Sequence, residues 1–96
     1  MTMDFDWDDG NRNKNLRHGV RDWEIEEAFR DRQKKARGKI WVGDEERFVL
    51  LGRCLGSGKY LCIVYTIRVK DHRRLVRPIS VRDMSETERR WYHRKG

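Results

Sequence analysis

The chain has 96 residues, of which 23 are Lys or Arg and 16 are Asp or Glu, so its formal net charge is +7. This length predicts a single domain spanning residues 1–96, because two halves would each be too short to bury a core. No apolar run approaches the ~20 residues that a membrane span needs, and the acidic start lacks the features of a signal peptide, so we expect a cytoplasmic protein with no membrane partner.

The charges are divided unevenly along the chain. Residues 1–29 contain four basic and eight acidic side chains, whereas residues 30–96 contain 19 basic and eight acidic ones. Because Lys and Arg release counterions from phosphates, the basic part predicts a polyanionic partner. Nucleic acid, an acidic protein and an anionic membrane surface all meet this condition, and charge alone does not choose among them.

The first elements are short. Phe5 and Trp7 alternate with aspartates, which predicts a half-exposed strand before Gly10. A helix is predicted to follow as far as about Arg17 and to end at Gly19.

A second helix is predicted from Asp22 as its N-cap, with Trp23, Ala28 and Phe29 on one apolar stripe. The basic segment Arg30–Lys39 has no large apolar residue. It is interpreted either as a solvated loop or frayed helix end, or as an arm that reaches for phosphates.

Four segments beyond Lys39 are rich in β-branched and aromatic residues and predict strands: 40–42, 48–51, 60–69 and 75–82. Residues 60–65 are apolar throughout, which indicates a central strand covered on both faces. Pro78 lacks a backbone N–H, so its strand is predicted to be an edge strand or to carry a bulge. Cys54 and Cys62 lack the spacing of a zinc motif and are predicted to be small buried residues in strands.

The last element is predicted from a capping box. Ser85 and Glu88 have the required spacing, so a helix is expected over about Glu86–His93. Together the elements predict an α+β domain with an antiparallel sheet of four to five strands, two N-terminal helices and a C-terminal helix.

Several short motifs occur together in an order that resembles the BrnT family of bacterial toxins. The matching pieces are Phe5–Asp8, Gly10–Arg12, Lys14–Asn15, His18–Val20, Glu26–Phe29, Asp44–Phe48, Leu51–Arg53, Tyr65–Arg68, Arg77, Ile79–Met84, Glu88–Arg90 and Tyr92. The resemblance covers nearly the whole chain, and the joint order of the pieces is more specific than any one of them.

This resemblance implies a RelE-like fold and a ribosome-independent endoribonuclease activity that arrests growth. It also implies that a BrnA-like antitoxin with a ribbon-helix-helix part neutralises the toxin. Operator DNA is then bound only through the antitoxin complex. The stretch Lys14–His18 is one residue shorter than in the family pattern, and Arg17 stands where a Lys is usual. If this stretch is α-helical, Lys14 and His18 lie at i, i+4 on one face.

Arginines are the main candidates for catalysis. Arg53, Arg68 and Arg82 lie at or near predicted strand ends, where a guanidinium can clamp phosphate oxygens in a bidentate manner. The alternative is that they form surface ion pairs with Glu45, Glu46 or Asp83.

Cleavage without a metal can use the neighbouring 2′-OH of RNA as nucleophile, with a base, an acid and cations supplied by the protein. No carboxylate cluster resembles a two-metal site and the three histidines are scattered, so no cofactor is expected.

Three further residues are candidates for this chemistry. His18 is predicted to transfer a proton, since histidine titrates near neutrality, and its alternative is a capping residue. Lys14 is predicted to stabilise transition-state charge and Glu46 to act as a base, with a solvated lysine and a surface acid as the alternatives.

RNA binding is assigned to Arg47, Arg77 and Tyr92, and the alternative is that Trp91 or Tyr92 packs the last helix onto the sheet. Trp41, Tyr60 and Tyr65 suit base stacking, core packing or antitoxin contact. The leading hypothesis is an endoribonuclease toxin acting on RNA. The alternatives are a catalytically inactive BrnT-like partner and co-repressor of the antitoxin, or a basic nucleic-acid-binding domain.

Overall fold

The computed structural model describes residues 3–94 as one antiparallel sheet with α-helices on both faces. The strands are β1 (Lys35–Val42), β2 (Glu45–Arg53), β3 (Tyr60–Lys70) and β4 (Arg73–Asp83), and the α-helices are α1 (Asp22–Phe29) and α2 (Glu86–His93). The strands follow the order β1-β2-β3-β4 across the sheet. The α+β class and the four-stranded antiparallel sheet are confirmed. Residues 1, 2, 95 and 96, which the single-domain prediction includes, lie outside the described residues.

The prediction of two N-terminal α-helices was wrong for the first of them. Residues Lys14–His18 form a five-residue 3-10 helix, which ends at Gly19 (φ +76°) as predicted. The segment is anchored by Asn11, whose side-chain amide donates to the carbonyl oxygens of Asp6 and Pro78 at 2.9 and 3.1 Å. Asparagine side chains compete with helical hydrogen bonds in this way. Because a 3-10 helix has three residues per turn, Lys14 and His18 do not share a face.

The N-terminal strand is also shorter than predicted. Phe5 forms an isolated parallel bridge with Val76. The amide of Asp6 donates to the Val76 carbonyl at 2.8 Å, and the Val76 amide donates to the carbonyl of Asp4 at 2.9 Å. Residues 4–6 therefore pair with the outer edge of β4.

Helix α1 buries a different stripe from the predicted one. Its N-cap is Arg21 rather than Asp22, and its buried residues are Glu24, Ile25, Ala28 and Phe29. Trp23 is 49% exposed, so its assignment to the apolar stripe was wrong. Ile25, Ala28 and Phe29 are spaced i, i+3, i+4 and share a face, whereas Trp23 precedes Ala28 by five residues.

The prediction of a solvated loop or frayed helix end at residues 30–39 was wrong for residues 35–39, which belong to a strand. Strand β1 begins at Lys35 and has a register irregularity between Ala36 and Gly38. Every residue of β1 after Lys35 is exposed. The basic side chains therefore remain in water while the backbone pairs with β2, a combination that a prediction based on apolar pattern misses.

The central strand and the proline strand match their predictions. β3 lies between β2 and β4, and β4 is an edge strand of the described sheet. Its register skips a residue near Pro78, because Val64 pairs with Ser80 and Tyr65 with Pro78. Pro78 was predicted to lie on an edge strand or at a bulge, and it lies on an edge strand next to a register irregularity.

Two apolar clusters cover opposite faces of the sheet. The α1 face is packed by Val20, Ile25, Ala28, Phe29, Leu50, Cys54, Leu61, Ile63, Val76 and Val81. The α2 face is packed at one end by Leu51, Cys62, Met84 and Tyr92. Cys62 is buried in β3 as predicted, and Cys54 is buried just beyond the end of β2.

A glycine permits the close approach of α1 to β2. A Cβ atom at Gly52 would lie 2.5 Å from the Ala28 carbonyl oxygen, which is backbone and has little room to shift. We therefore expect Gly52→Ala to lower the free energy of unfolding by about 1–3 kcal/mol through overpacking. Urea unfolding of the variant tests this, and an unchanged midpoint would show that α1 shifts at no cost.

Candidate functional site

Helix α2 covers only one end of its sheet face, and a depression of about 540 Å³ lies beside it. Val49 and Val64 are paired across β2 and β3, and Cys62 is paired with Arg82 across β3 and β4. The depression is lined by His18, Val49, Cys62, Val64, Ser80, Val81, Arg82 and Asp83. Two of the predicted catalytic residues, His18 and Arg82, are therefore brought together here from opposite ends of the chain.

Arg82 is held by a bidentate ion pair with Glu88. Its two terminal nitrogens donate to Oε1 and Oε2 of Glu88 at 2.6 and 2.9 Å. The Arg82 side chain stays 59% exposed, whereas that of Glu88 is only 8% exposed. The guanidinium is thus fixed from its protein side and remains open to a ligand. The alternative predicted for Arg82 named Asp83, but its carboxylate partner is Glu88, and Asp83 accepts only through its backbone carbonyl.

Glu88 combines this ion pair with the capping box of α2. It accepts from the Ser85 amide at 2.8 Å, while its own amide donates to the Ser85 hydroxyl at 3.1 Å, so the capping box is confirmed. Hydrogen bonds from Arg82 outweigh desolvation and lower the pKa of Glu88 to about 2. The same bonds raise the pKa of Arg82. Both groups are therefore charged at neutral pH.

Arg37 is a site residue that the sequence analysis did not single out. Its Nε lies 4.0 Å from Oε2 of Glu88, and its guanidinium carbon lies 4.5 Å from the centroid of the Trp91 ring. Arg37 lies within the register irregularity of β1, between Ala36 and Gly38, and Gly38 pairs with Val49 on the floor of the depression. Two arginines thus approach one buried carboxylate, and the interpretation of residues 30–39 as an arm that reaches for phosphates stays a prediction.

His18 enters the depression from the 3-10 helix. It is exposed and immediately precedes Gly19, whose carbonyl accepts from the Lys59 side chain at 2.6 Å. Lys14 is exposed and is not among the residues that line the depression. Of the two residues taken from this motif, His18 lines the same depression as Arg82, and Lys14 is not among its lining residues.

Arg53 lies in a separate group under α2. Its guanidinium carbon is 4.9 Å from the centroid of Tyr60, and that of Arg89 is 4.2 Å from the same ring. The Nε of Arg53 is buried and has no hydrogen-bond partner among the described residues. Its backbone N–H donates to Asp31 at 2.9 Å.

Tyr92 packs the last helix onto the sheet, which is the alternative considered beside RNA binding. Its ring is 5% exposed and belongs to the apolar cluster under α2. The hydroxyl donates to Asp31 at 2.5 Å. Burial, followed by the hydrogen bond to Asp31, raises the pKa of Tyr92.

The remaining candidates lie at the other end of the sheet in ion pairs. Arg47 and Arg68 contact the two oxygens of Glu45 at 2.8 and 3.0 Å, so Arg68 has the ion pair that was its alternative. Hydrogen bonding from Arg47 lowers the pKa of Glu45. Glu46 contacts Lys39 at 3.2 Å. None of these side chains lines the depression that contains His18.

Arg77 holds the N-terminal segment to the sheet. Its guanidinium donates to Asp8 at 2.9 and 3.1 Å and to Asp6 at 3.3 Å. The bond to Arg77 lowers the pKa of Asp8, and the bond to Lys70 is the largest cause of the lowered pKa of Asp6. The acidic start of the chain is thus neutralised by the basic sheet.

The other aromatic candidates differ in exposure. The Tyr65 ring contacts those of Phe29 and Phe48, with centroids 4.9 and 5.4 Å apart, as expected of core packing. Trp41 is 66% exposed on β1.

Comparison with known proteins identifies the family. Residues 7–88 match a family described as "Ribonuclease toxin, BrnT, of type II toxin-antitoxin system". No curated protein matches the chain. None of the helices described within residues 3–94 has the length and apolar character that crossing a membrane requires. The family match extends from the N-terminal segment through Arg82 to Glu88 and so includes the depression, and the chain belongs to the BrnT family of ribonuclease toxins.

Proposed function

We propose that this protein is the toxin of a type II pair, a RelE-like endoribonuclease that needs neither a metal nor the ribosome and arrests growth by cleaving RNA in the cytoplasm. The observation that carries the proposal is the meeting of His18 and Arg82 in one open depression. The family supplies the substrate class, RNA, and the existence of an antitoxin partner.

The chemistry assigned to this depression is transesterification by the substrate's own 2′-OH. His18 accepts the 2′-OH proton, the 2′-oxygen attacks phosphorus, and the bond to the 5′-oxygen breaks. The 5′-oxygen takes a proton from the solvent that reaches this open surface, which leaves a 2′,3′-cyclic phosphate and a 5′-OH. His18 is suited to the transfer because it is exposed, and imidazole is the commonest general base in enzymes.

Arg82 is assigned to the phosphate. Charge on the nonbridging oxygens increases in the transition state, and donors already fixed in position stabilise it without reorganisation. Glu88 supplies that fixation through two hydrogen bonds to Arg82. Arg37, near the same carboxylate, adds a second positive charge. Arg53, Arg68, Glu46 and Lys14 lie outside this depression, so in this proposal none of them acts on the bond that is cleaved, and the three cations bind phosphates of a longer RNA.

We further propose that the partner is a BrnA-like antitoxin with a ribbon-helix-helix part, and that operator DNA is bound only through this complex. An open depression that exposes the Arg82 guanidinium must be covered if the antitoxin is to block the toxin. A protein with a net charge of +7 favours a cover with acidic residues.

A second candidate function is an inactive partner and co-repressor of the antitoxin. The observation that favours it is the 3-10 conformation of Lys14–His18, which separates Lys14 from the depression. A cleavage assay distinguishes the two functions, because only the enzyme produces new 5′-OH ends.

The test uses antitoxin-free protein with a synthetic RNA in EDTA and without ribosomes. We expect cleavage to cyclic phosphate and 5′-OH ends, and a fall of about 100-fold or more in the His18→Gln variant, since a positioned base contributes about 10²–10⁴-fold. His72→Gln, in the β3–β4 turn, is the matched control and should cleave like the wild type. Intact RNA with folded wild-type protein would leave the inactive partner as the function.

A further inference from the structure

The two edge strands of the sheet differ in whether another segment of the chain pairs with their outer side. The edge of β4 is paired with residues 4–6 through the Phe5–Val76 bridge and its two backbone hydrogen bonds. Within residues 3–94, β1 pairs with β2 alone. One edge is therefore closed by the chain itself, and the outer edge of β1 is open.

The open edge is protected along only half of its length. Lysine and arginine side chains and bulges are the usual devices that prevent an edge strand from pairing. The first half of β1 has both, with Lys35, Arg37 and Lys39 around the irregularity between Ala36 and Gly38. The second half, Ile40–Val42, has neither.

The unprotected half is apolar and exposed on both faces. Ile40, Trp41 and Val42 are 46%, 66% and 48% exposed. Their partners across β2 are Arg47, Glu46 and Glu45, so charged side chains rather than apolar ones lie beside them. Exposed apolar surface next to an open row of backbone groups is the arrangement that accepts an added strand.

We propose that the outer edge of β1 is the docking site of the antitoxin, which adds an extended segment as a fifth strand and covers Trp41. This proposal rests on the proposed function for the existence of the antitoxin. Strand β1 has three basic residues and no acidic one, so the added segment is one in which acidic side chains alternate with apolar ones.

Charge disfavours a second copy of this chain as the occupant. Pairing two β1 strands would place six basic side chains on adjacent strands with no acid among them, and like charges on neighbouring strands are destabilising. The same cations attract an acidic segment and increase its association rate.

The location also accounts for inhibition. Arg37 belongs to β1 and lies 4.0 Å from Glu88, the carboxylate that holds Arg82. A segment paired with Ile40–Val42 can continue past the irregularity without pairing and reach Arg37, where its acidic side chains compete with RNA phosphate. Silencing of the toxin and protection of its edge follow from the same contact.

The test compares Trp41→Lys with Leu55→Lys, a matched control because Leu55 is 70% exposed in the turn after β2. The ligand is the ribbon-helix-helix antitoxin that the proposed function assigns to this protein, purified free of toxin. We expect Trp41→Lys to weaken binding of this protein by at least about 10-fold, as for a central aromatic contact, and to leave RNA cleavage by the free toxin unchanged. Leu55→Lys should change neither.

Hydrogen exchange reports on the added strand itself. In the wild-type complex, the amides of residues 39–42 should exchange more slowly than in the free toxin. Unchanged exchange there, full binding by Trp41→Lys, or a dimer of the free protein that Trp41→Lys dissociates would each overturn the proposal. Because binding and exchange are measured without RNA, failure of the ribonuclease assay is distinguishable from failure of the docking site.

Discussion

Replacing Arg82 with lysine is expected to lower the rate of RNA cleavage by about 100- to 1,000-fold, the loss typical of removing one prearranged donor to transition-state charge. Lysine keeps the positive charge beside Glu88 but has no planar fork to hold the carboxylate in a bidentate manner while presenting further donors to phosphate. The single-turnover cleavage rate with a synthetic RNA measures this. The wild-type geometry that the variant removes is the pair of bonds at 2.6 and 2.9 Å.

Lysine is a better test here than alanine. Alanine would leave the buried Glu88 carboxylate without its main partner, so lost activity and lost folding would be confounded. Arg90→Lys is the matched control, because Arg90 is exposed on α2, where it contacts the exposed Glu86 at 3.5 Å and donates to the Thr87 hydroxyl at 3.3 Å. Full activity in Arg82→Lys, or an equal loss in Arg90→Lys, would contradict the assignment of Arg82 to the phosphate.

Elements with local chemical signals were predictable from the sequence. Ser85 and Glu88 start α2 because their side chains and amides satisfy each other within one turn. Gly19 ends the 3-10 helix because the backbone there needs a positive φ. Pro78 lies on an edge at a register shift because it has no N–H to donate. In each case the deciding interaction involves near neighbours.

Elements whose conformation depends on contacts between residues far apart in the sequence were not predictable. The N-terminal segment is held by Asn11, which contacts the Pro78 carbonyl at the far end of the chain, and no periodicity shows this. Strand β1 was missed from Lys35 to Lys39 because its edge position lets every residue after Lys35 remain exposed, which removes the alternation used to recognise strands. Trp23 was assigned to one apolar stripe with Ala28 and Phe29, yet it precedes Ala28 by five residues and is 49% exposed.

In the candidate site too, residues with a local sequence signal were predictable, and contacts between distant residues were not. His18 and Arg82 were named from motifs, but their common depression depends on how the 3-10 helix packs beside β4. Glu88 was recognised only as a capping residue, because its second role depends on α2 folding back over Arg82. Arg37 was missed because one exposed arginine in a basic segment has no local feature that separates it from its neighbours.

Replacing Glu88 with glutamine is expected to lower the free energy of unfolding by about 3 kcal/mol at pH 7, since each unit of pKa shift corresponds to about 1.4 kcal/mol. The pKa of Glu88 is lowered to about 2 from an ordinary 4.5, mainly by its bonds to Arg82. A lowered pKa means that the charged form stabilises the fold. This contribution is complete above pH 4.5 and is lost as the pH falls from 4.5 toward 2.

Urea unfolding of the wild type and of Glu88→Gln at pH 7 and pH 3 tests this expectation. The difference between the two proteins should be large at pH 7 and smaller at pH 3, which separates Glu88 from the other carboxylates because those are common to both. Glu86→Gln is the control, since that side chain is 89% exposed and its pair with Arg90 should contribute less than about 1 kcal/mol.

A difference in the free energy of unfolding that is the same at both pH values would mean that Glu88 acts through packing and the helix cap rather than through its charge. The Arg82 guanidinium would then lack the fixed anchor on which its proposed role depends.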